Sequence, residues 1–138
     1  MATARQQADD FGVDRHQGEE VTDVDVTDDG FVVTTDDDEY EADYVVLATG
    51  ASRDLAEAIG CEFDDDGTVS VDISMETSVS DLYATGATCR ADEWQAVIAA
   101  GDGAAAALNV LTKVRGEGFH DFDVPATADE VFGGLIDE

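Results

Sequence analysis

Basic residues are scarce: six Lys and Arg face 34 Asp and Glu, Lys113 is the single lysine, and the formal net charge is -28 at pH 7. A surface of that sign repels nucleic acid and anionic membranes alike, so neither is an expected partner. Cysteine is nearly absent too. Cys61 and Cys89 lie far apart and form no CxxC, which excludes reading a dithiol redox motif or a zinc knuckle from them. The one proline, Pro125, falls in an expected loop near the end, so nothing before it is interrupted by a residue that cannot donate a backbone hydrogen bond. No stretch reads as an apolar run long enough to cross a bilayer, and no positively charged leader with an apolar core stands at the start, so the expectation is a soluble cytoplasmic protein. His16 and His120 stand apart from any Cys, Asp–Ser or metal-type grouping and read as surface or loop residues. No catalytic residue and no metal ligand is assigned.

What is present argues for a packed fold. Hydrophobic residues make up 43% of 138 positions and are spread along the chain, against the low hydrophobicity of disordered sequences. That length suits one domain, 1–138, with a tail over 120–138. Acid in excess with almost no lysine suits molar salt, where charge repulsion is screened within roughly 3 Å. The acidic runs at Asp36 to Asp38 and Asp64 to Asp66 read as solvated turns, not as cation sites.

The elements follow in order, without internal repeats or a linker. "ATARQQADDFG" suits a helix that stops at Gly12. "VTDVDVTDDGFVVTTDDDEYEADYVVLATG" reads as half-exposed alternating strands joined at Asp28-Asp29-Gly30, then an acidic turn, then an apolar run, Tyr44 to Ala48, buried on both faces. "SRDLAEAIG" is a short helix ended by Gly60. Two further short strands are expected around Val69 to Ile73 and Leu82 to Ala84. A long helix runs from about Glu93 to about Val114, with Asp102 exposed in its middle, and a final amphipathic turn, "ADEVFGGLID", follows Pro125. "GDGAAA" satisfies the G-x-G-x-x-G/A pattern of a dinucleotide loop, but it lies inside that helix and follows no strand, so Gly101 and Gly103 read as helix-packing residues.

"YVVLATG" and "DLYATGA" end alike, each passing from a buried strand into small residues. In an open α/β sheet the ligand site lies outside the carboxyl ends of the strands. Thr77-Ser78, Tyr83-Ala84, Gly86-Ala87, Trp94-Gln95-Ala96 and Ala100 to Ala107 stand in the spacing of T-S-x-x-x-x-[FY]-A-x-G-D, then R-Q-A, then A-G-x-G-x-x-A-A. With "YEADYVVLATGAS" and "QADDFGV", these motifs make the chain resemble the FAD-binding domain of the thioredoxin reductase-like FAD/NAD(P)-binding flavoproteins, in a haloarchaeal type. Nearly the whole chain is covered, most weakly after Phe119.

The resemblance implies an α/β fold: an incomplete Rossmann-like FAD-binding domain, with a parallel sheet, flanking helices and a small antiparallel β excursion. It implies FAD as the cofactor, with Thr49 and Gly50 at the adenosine half and Gly86 and Ala87 at the ribityl chain. Gln95 and Ala96 stand at the helix start against the flavin N1 and O2 edge, and Trp94 beside them either stacks on the ring or anchors the helix end. Backbone N–H groups there stabilise charge on the reduced ring. Three departures bear on affinity: the Asp expected after Gly86 is Ala87, the Arg before Gln95 is Trp94, and the β-α-β unit bearing the phosphate fingerprint is missing before the first helix. The NADPH domain with its CxxC is absent as well. The resemblance therefore implies a flavin-dependent oxidoreductase-type domain that is not a thioredoxin reductase on its own, with FAD weakly held or lost. Two alternatives stand beside it: a scaffold or regulatory module without cofactor, and a half-domain completing an FAD site as a homodimer or with a partner chain that supplies the phosphate-binding loop.

Overall fold

Glycine in left-handed backbone ends each of the helices. The computed structural model describes residues 2–116, with α1 at Ala2–Asp10, α2 at Asp54–Ile59 and α3 at Ala96–Arg115. Gly12, Gly60 and Gly116, at φ of 83°, 93° and 75°, follow them. A residue without a Cβ takes this conformation without steric cost, and the turn it makes returns N–H groups to the last carbonyls. The sequence placed the stops at Gly12 and Gly60 and an end of the long helix at about Val114.

Strands β1 (Val21–Thr27), β2 (Gly30–Thr35) and β3 (Glu39–Ala42) form an antiparallel sheet in that order. Thr27 pairs with Gly30 across the two-residue turn Asp28-Asp29, and the register slips once, between Val21 and Asp23. Val24 and Phe31 are buried from this sheet, while Val26 faces solvent. β4 (Val45–Leu47) and β5 (Leu82–Ala84) pair in parallel, with α2 in the crossover between them.

β5 is the middle of the molecule. Its three side chains are fully buried and alternate between two clusters. Leu82 and Ala84 join Val24, Phe31, Leu47, Ala56, Cys61 and Val69 on one side, while Tyr83 meets Met75 and Ala106 of α3 on the other. The mixed α/β architecture with a parallel sheet and an antiparallel excursion is as the sequence implied.

Four expectations are corrected. β4 is not buried on both faces: Val46 pairs with the fully buried Tyr83 yet is itself 44% exposed. Val69 to Ile73 form no strand, because the Asp72 carboxylate accepts the N–H groups of Ser74 and Glu76 and turns the chain, leaving Ile73 in solvent. Side-chain acceptors of this kind compete with a ladder. α3 begins at Ala96, not Glu93, since Gln95 before it is extended. It is also, by length and composition, apolar enough to cross a membrane, at 20 residues and a mean hydropathy of 1.3. Small alanines supply that value without forming a conspicuous run. A charged side chain docks against the domain from its middle, which a lipid-facing helix avoids.

Gly101 and Gly103 lie inside α3 as expected, but a Cβ at either would meet nothing within 4 Å, so they do not serve close packing among the described residues. His120, Pro125, the final amphipathic turn and the tail lie outside the described residues.

Candidate functional site

The two alike strand ends lie side by side. Leu47 pairs with Ala84, and the Thr85 N–H then donates to the Leu47 carbonyl at 3.0 Å, so the chain leaves both strands at one level. Past β4, the Thr49 hydroxyl donates to the Ser52 carbonyl at 2.7 Å and Gly50 turns in the open at φ 63°. Past β5, Gly86 takes φ 77° and opens a 3-10 turn, Gly86–Cys89. The fully buried Thr88 in that turn donates its hydroxyl to the same Ser52 carbonyl at 3.2 Å, which ties the two loops together.

Gly86 lies against α3. A Cβ placed on it would stand 3.4 Å from that of Ala99, in the first turn of the helix. Gln95 caps α3 in extended conformation with no side-chain cap, and the first turn holds no acid. The Ala96 and Val97 N–H groups thus keep the orphan character of any helix start, and the partial positive charge there is not offset by a carboxylate in that turn. By contrast, Asp54 and Glu57 fill the first turn of α2. Trp94, Gln95 and Ala96 are exposed. Trp94 is an anchor for the approach to α3, its indole N–H donating to the Arg90 carbonyl at 2.8 Å.

The interaction that sequence reasoning placed wrongly is Asp102. Expected in solvent, it is 5% exposed. Its Oδ2 accepts the Gly86 N–H at 3.1 Å and Arg90 Nε at 2.9 Å, and its Oδ1 accepts Arg90 Nη2 at 2.7 Å. This fork is the strong form of a carboxylate–guanidinium pair. Hydrogen bonds from Arg90 hold the Asp102 carboxyl below its usual range. Arg90 also reaches Glu93 at 3.0 Å. The signal that could have found Asp102 is its place four residues before the fully buried Ala106, on the same helix face.

Neither thiol is activated. Cys61 and Cys89 are free, and burial raises both pKa values, with the Asp102 charge adding to the effect at Cys89. Glu19, which lines a hollow together with Thr49 and Ser52, forms a second network missed in the sequence: Tyr40 donates its hydroxyl to it at 2.8 Å, Thr35 does so at 2.8 Å, and His16 Nδ1 lies 3.0 Å away. Among the described residues no three His, Cys, Asp or Glu side chains group as a metal site.

A family model described as pyridine nucleotide-disulphide oxidoreductase matches residues 1–104. The dihydrolipoyl dehydrogenase of Haloferax volcanii is 36% identical over 116 residues, which are 77% of this chain and 24% of that protein. The one from Halobacterium salinarum is 34% identical over 91 residues, 59% of this chain and 19% of that protein. The chain thus spans about a quarter or less of the length of these relatives. Among solved structures, a thioredoxin reductase from Gloeobacter violaceus matches with a TM-score of 0.79 at 16% identity, over 89% of this chain and 78% of that one. The T. acidophilum thioredoxin reductase matches with 0.64 at 16% identity, over 83% and 80%. At such identities the likeness establishes the fold.

Proposed function

The chain belongs to the pyridine nucleotide-disulphide oxidoreductase family, and from that premise we propose that it holds the flavin end of FAD between the Gly86 loop and the start of α3. The observation that carries this reading is the contact between the two: a backbone at φ 77° set against a helix start that is uncapped and free of acid. Both features fit the group. A glycine lets a cofactor approach the main chain, and orphan N–H groups meet an electron-rich edge.

In this reading Thr49 and Gly50 flank the adenosine half, Gly86 and Ala87 run beside the ribityl chain, and Trp94, Gln95 and Ala96 face the N1 and O2 edge of the ring. When bound, the flavin supplies the hydride and electron chemistry of an oxidoreductase, and the protein supplies position and electrostatics. Ala87 offers no side-chain acceptor to the ribityl hydroxyls. Among the described residues no glycine-rich loop follows a strand and opens a helix, so binding by these residues alone is weak.

β4 has β5 as its only partner among the described strands. Beside it lies an apolar hollow of about 330 Å³ lined in part by Val21, Val46 and Leu55. That edge and hollow suit a β-α-β unit carrying the phosphate loop, supplied by the same polypeptide or by a partner chain.

Isothermal titration with FAD in molar KCl tests the proposal. The 138-residue chain binds weakly, and a chain extended at its N-terminus by a β-α-β unit with a glycine-rich loop binds stably. In the extended chain Ala87→Asp tightens binding about fivefold by adding one hydrogen bond, and Gly86→Val abolishes it, because valine does not accept that φ and its side chain crowds Ala99. Tight binding by the short chain would place the phosphate site elsewhere. No binding by the extended chain would leave a scaffold without cofactor.

A further inference from the structure

We propose that the Asp102–Arg90 pair is a positioning device that fixes the spacing and orientation of the two walls of the site, the Gly86 loop and the α3 start. The proposal rests on the FAD reading above, but its geometry stands independently. The 3-10 turn is already fastened to the β4 side by the Thr88 hydroxyl on the Ser52 carbonyl. Asp102 fastens it to the other side: one carboxylate, in the second turn of α3, accepts the buried Gly86 N–H and both prongs of Arg90.

Arg90 carries the link onward. Its side chain reaches Glu93 and its carbonyl accepts the Trp94 indole N–H, so the extended approach to Gln95 and Ala96 hangs on the same residue. Both walls therefore share one ion pair. The pair is also neutral as a unit. A lone carboxylate at Asp102 would set a negative charge behind the helix start, against the partial positive charge that the start presents. Arg90 offsets that buried charge from outside the first turn, while the exposed Glu93 shares its guanidinium.

A purely stabilising pair would leave the loop and the cofactor affinity of the folded protein untouched, and this separates the two roles. In the cofactor-free chain in molar KCl, the Gly86 amide exchanges with deuterium about tenfold or more faster in Asp102→Ala, and Asp102→Asn restores most of the protection, since its amide oxygen still accepts the Gly86 N–H. In the extended FAD-binding chain, Arg90→Met, which leaves Asp102 unpaired, weakens FAD about tenfold or more, and Arg90→Lys recovers part of the loss by returning the charge without the fork. Should Asp102→Ala fail to fold, Asp102→Asn and the two Arg90 variants carry the comparison. Unchanged Gly86 exchange in Asp102→Ala, or unchanged FAD affinity in Arg90→Met, overturns the proposal. If the unsubstituted extended chain binds no FAD, the cofactor reading fails, and the exchange measurement still decides whether Asp102 fixes the loop.

Discussion

Tyr83 has no exposed surface, and among the described residues its hydroxyl finds no hydrogen-bond partner. The Lys113 ammonium lies 5.6 Å from the ring centre, a cation–π distance, and burial outweighs its pull in raising the phenol pKa. Lys113 is the charge nearest this buried hydroxyl, which makes no hydrogen bond of good geometry among the described residues, so Tyr83→Phe leaves stability in urea unfolding unchanged or raises it by up to about 1 kcal/mol. A fall of that size would show the hydroxyl to be bonded. Asp102 behaves in the opposite sense. Asp102→Ala strips a guanidinium and a buried N–H of their acceptor, at a cost of about 2 to 3 kcal/mol, tempered by the route Arg90 keeps to Glu93. The folded pKa of Asp102 is depressed, so its stabilisation is complete above the unfolded value, about 3.9, and drains away as pH falls through the folded one. Acid unfolding curves of Asp102→Asn are accordingly flatter below about pH 4 than those of the unsubstituted protein. Its helix face could have shown Asp102 to be buried, but nothing local announced its partners, because Arg90 and Gly86 lie 12 and 16 residues away.

At the scale of elements, what the sequence made legible is local and what it hid is long-range. The Asp28-Asp29-Gly30 hairpin and the glycine stops depend on residues within one turn, and they stand where expected. The depth of β4 depends on what lies over it, and Val46 faces solvent although its neighbours in sequence are as apolar as any core strand. The Val69 to Ile73 segment shows the converse error, an alternating pattern overruled by the Asp72 carboxylate. At the candidate site, the paired strand ends were readable from the sequence, whereas the helix start, read at about Glu93, falls at Ala96, and the ion pair joining the loop to the helix was not readable. The connector between α1 and β1 is held by His16, whose ring lies 4.8 Å from that of Tyr40 and whose nitrogens meet Asp14 at 3.2 Å and Glu19 at 3.0 Å. Asp14, through its hydrogen bond, is the first cause that raises the His16 pKa, with Glu19 adding to it. Stability from a raised histidine is complete below the unfolded value, about 6.5, and is lost as pH climbs through the folded one. NMR titration therefore finds His16 above the ordinary histidine value, Asp14→Asn lowers it, and amide protection in residues 13–20 declines across that same alkaline step. The Glu19 hydrogen bond also pushes Tyr40 up to about 12, so the phenol stays a donor throughout.

For the whole molecule the governing quantity is a net charge of -28 over 138 residues. Each buried cluster is small, and a domain of this kind is stable by only about 5 to 15 kcal/mol, which unscreened repulsion between carboxylates can consume. Circular dichroism should show the melting temperature falling steeply from molar to millimolar KCl, and a temperature that does not move would sever acid composition from salt dependence. Both curated relatives come from salt-loving archaea, Haloferax and Halobacterium, in keeping with that expectation. The same shortage of basic residues puts the last turn of α3 to an unusual use. Lys113 holds the chain's only side-chain amine, and that amine is clasped by Glu76 at 2.5 Å and Asp81 at 2.7 Å. Burial lowers its pKa, but the hydrogen bonds it donates to these two carboxylates outweigh that and raise it, favouring the charged form. An acylating reagent added to the intact protein meets a guarded side-chain amine at Lys113. The rate of acylation at Lys113 consequently reports how often the last turn of α3 lets go of Glu76 and Asp81, available without introducing a single label.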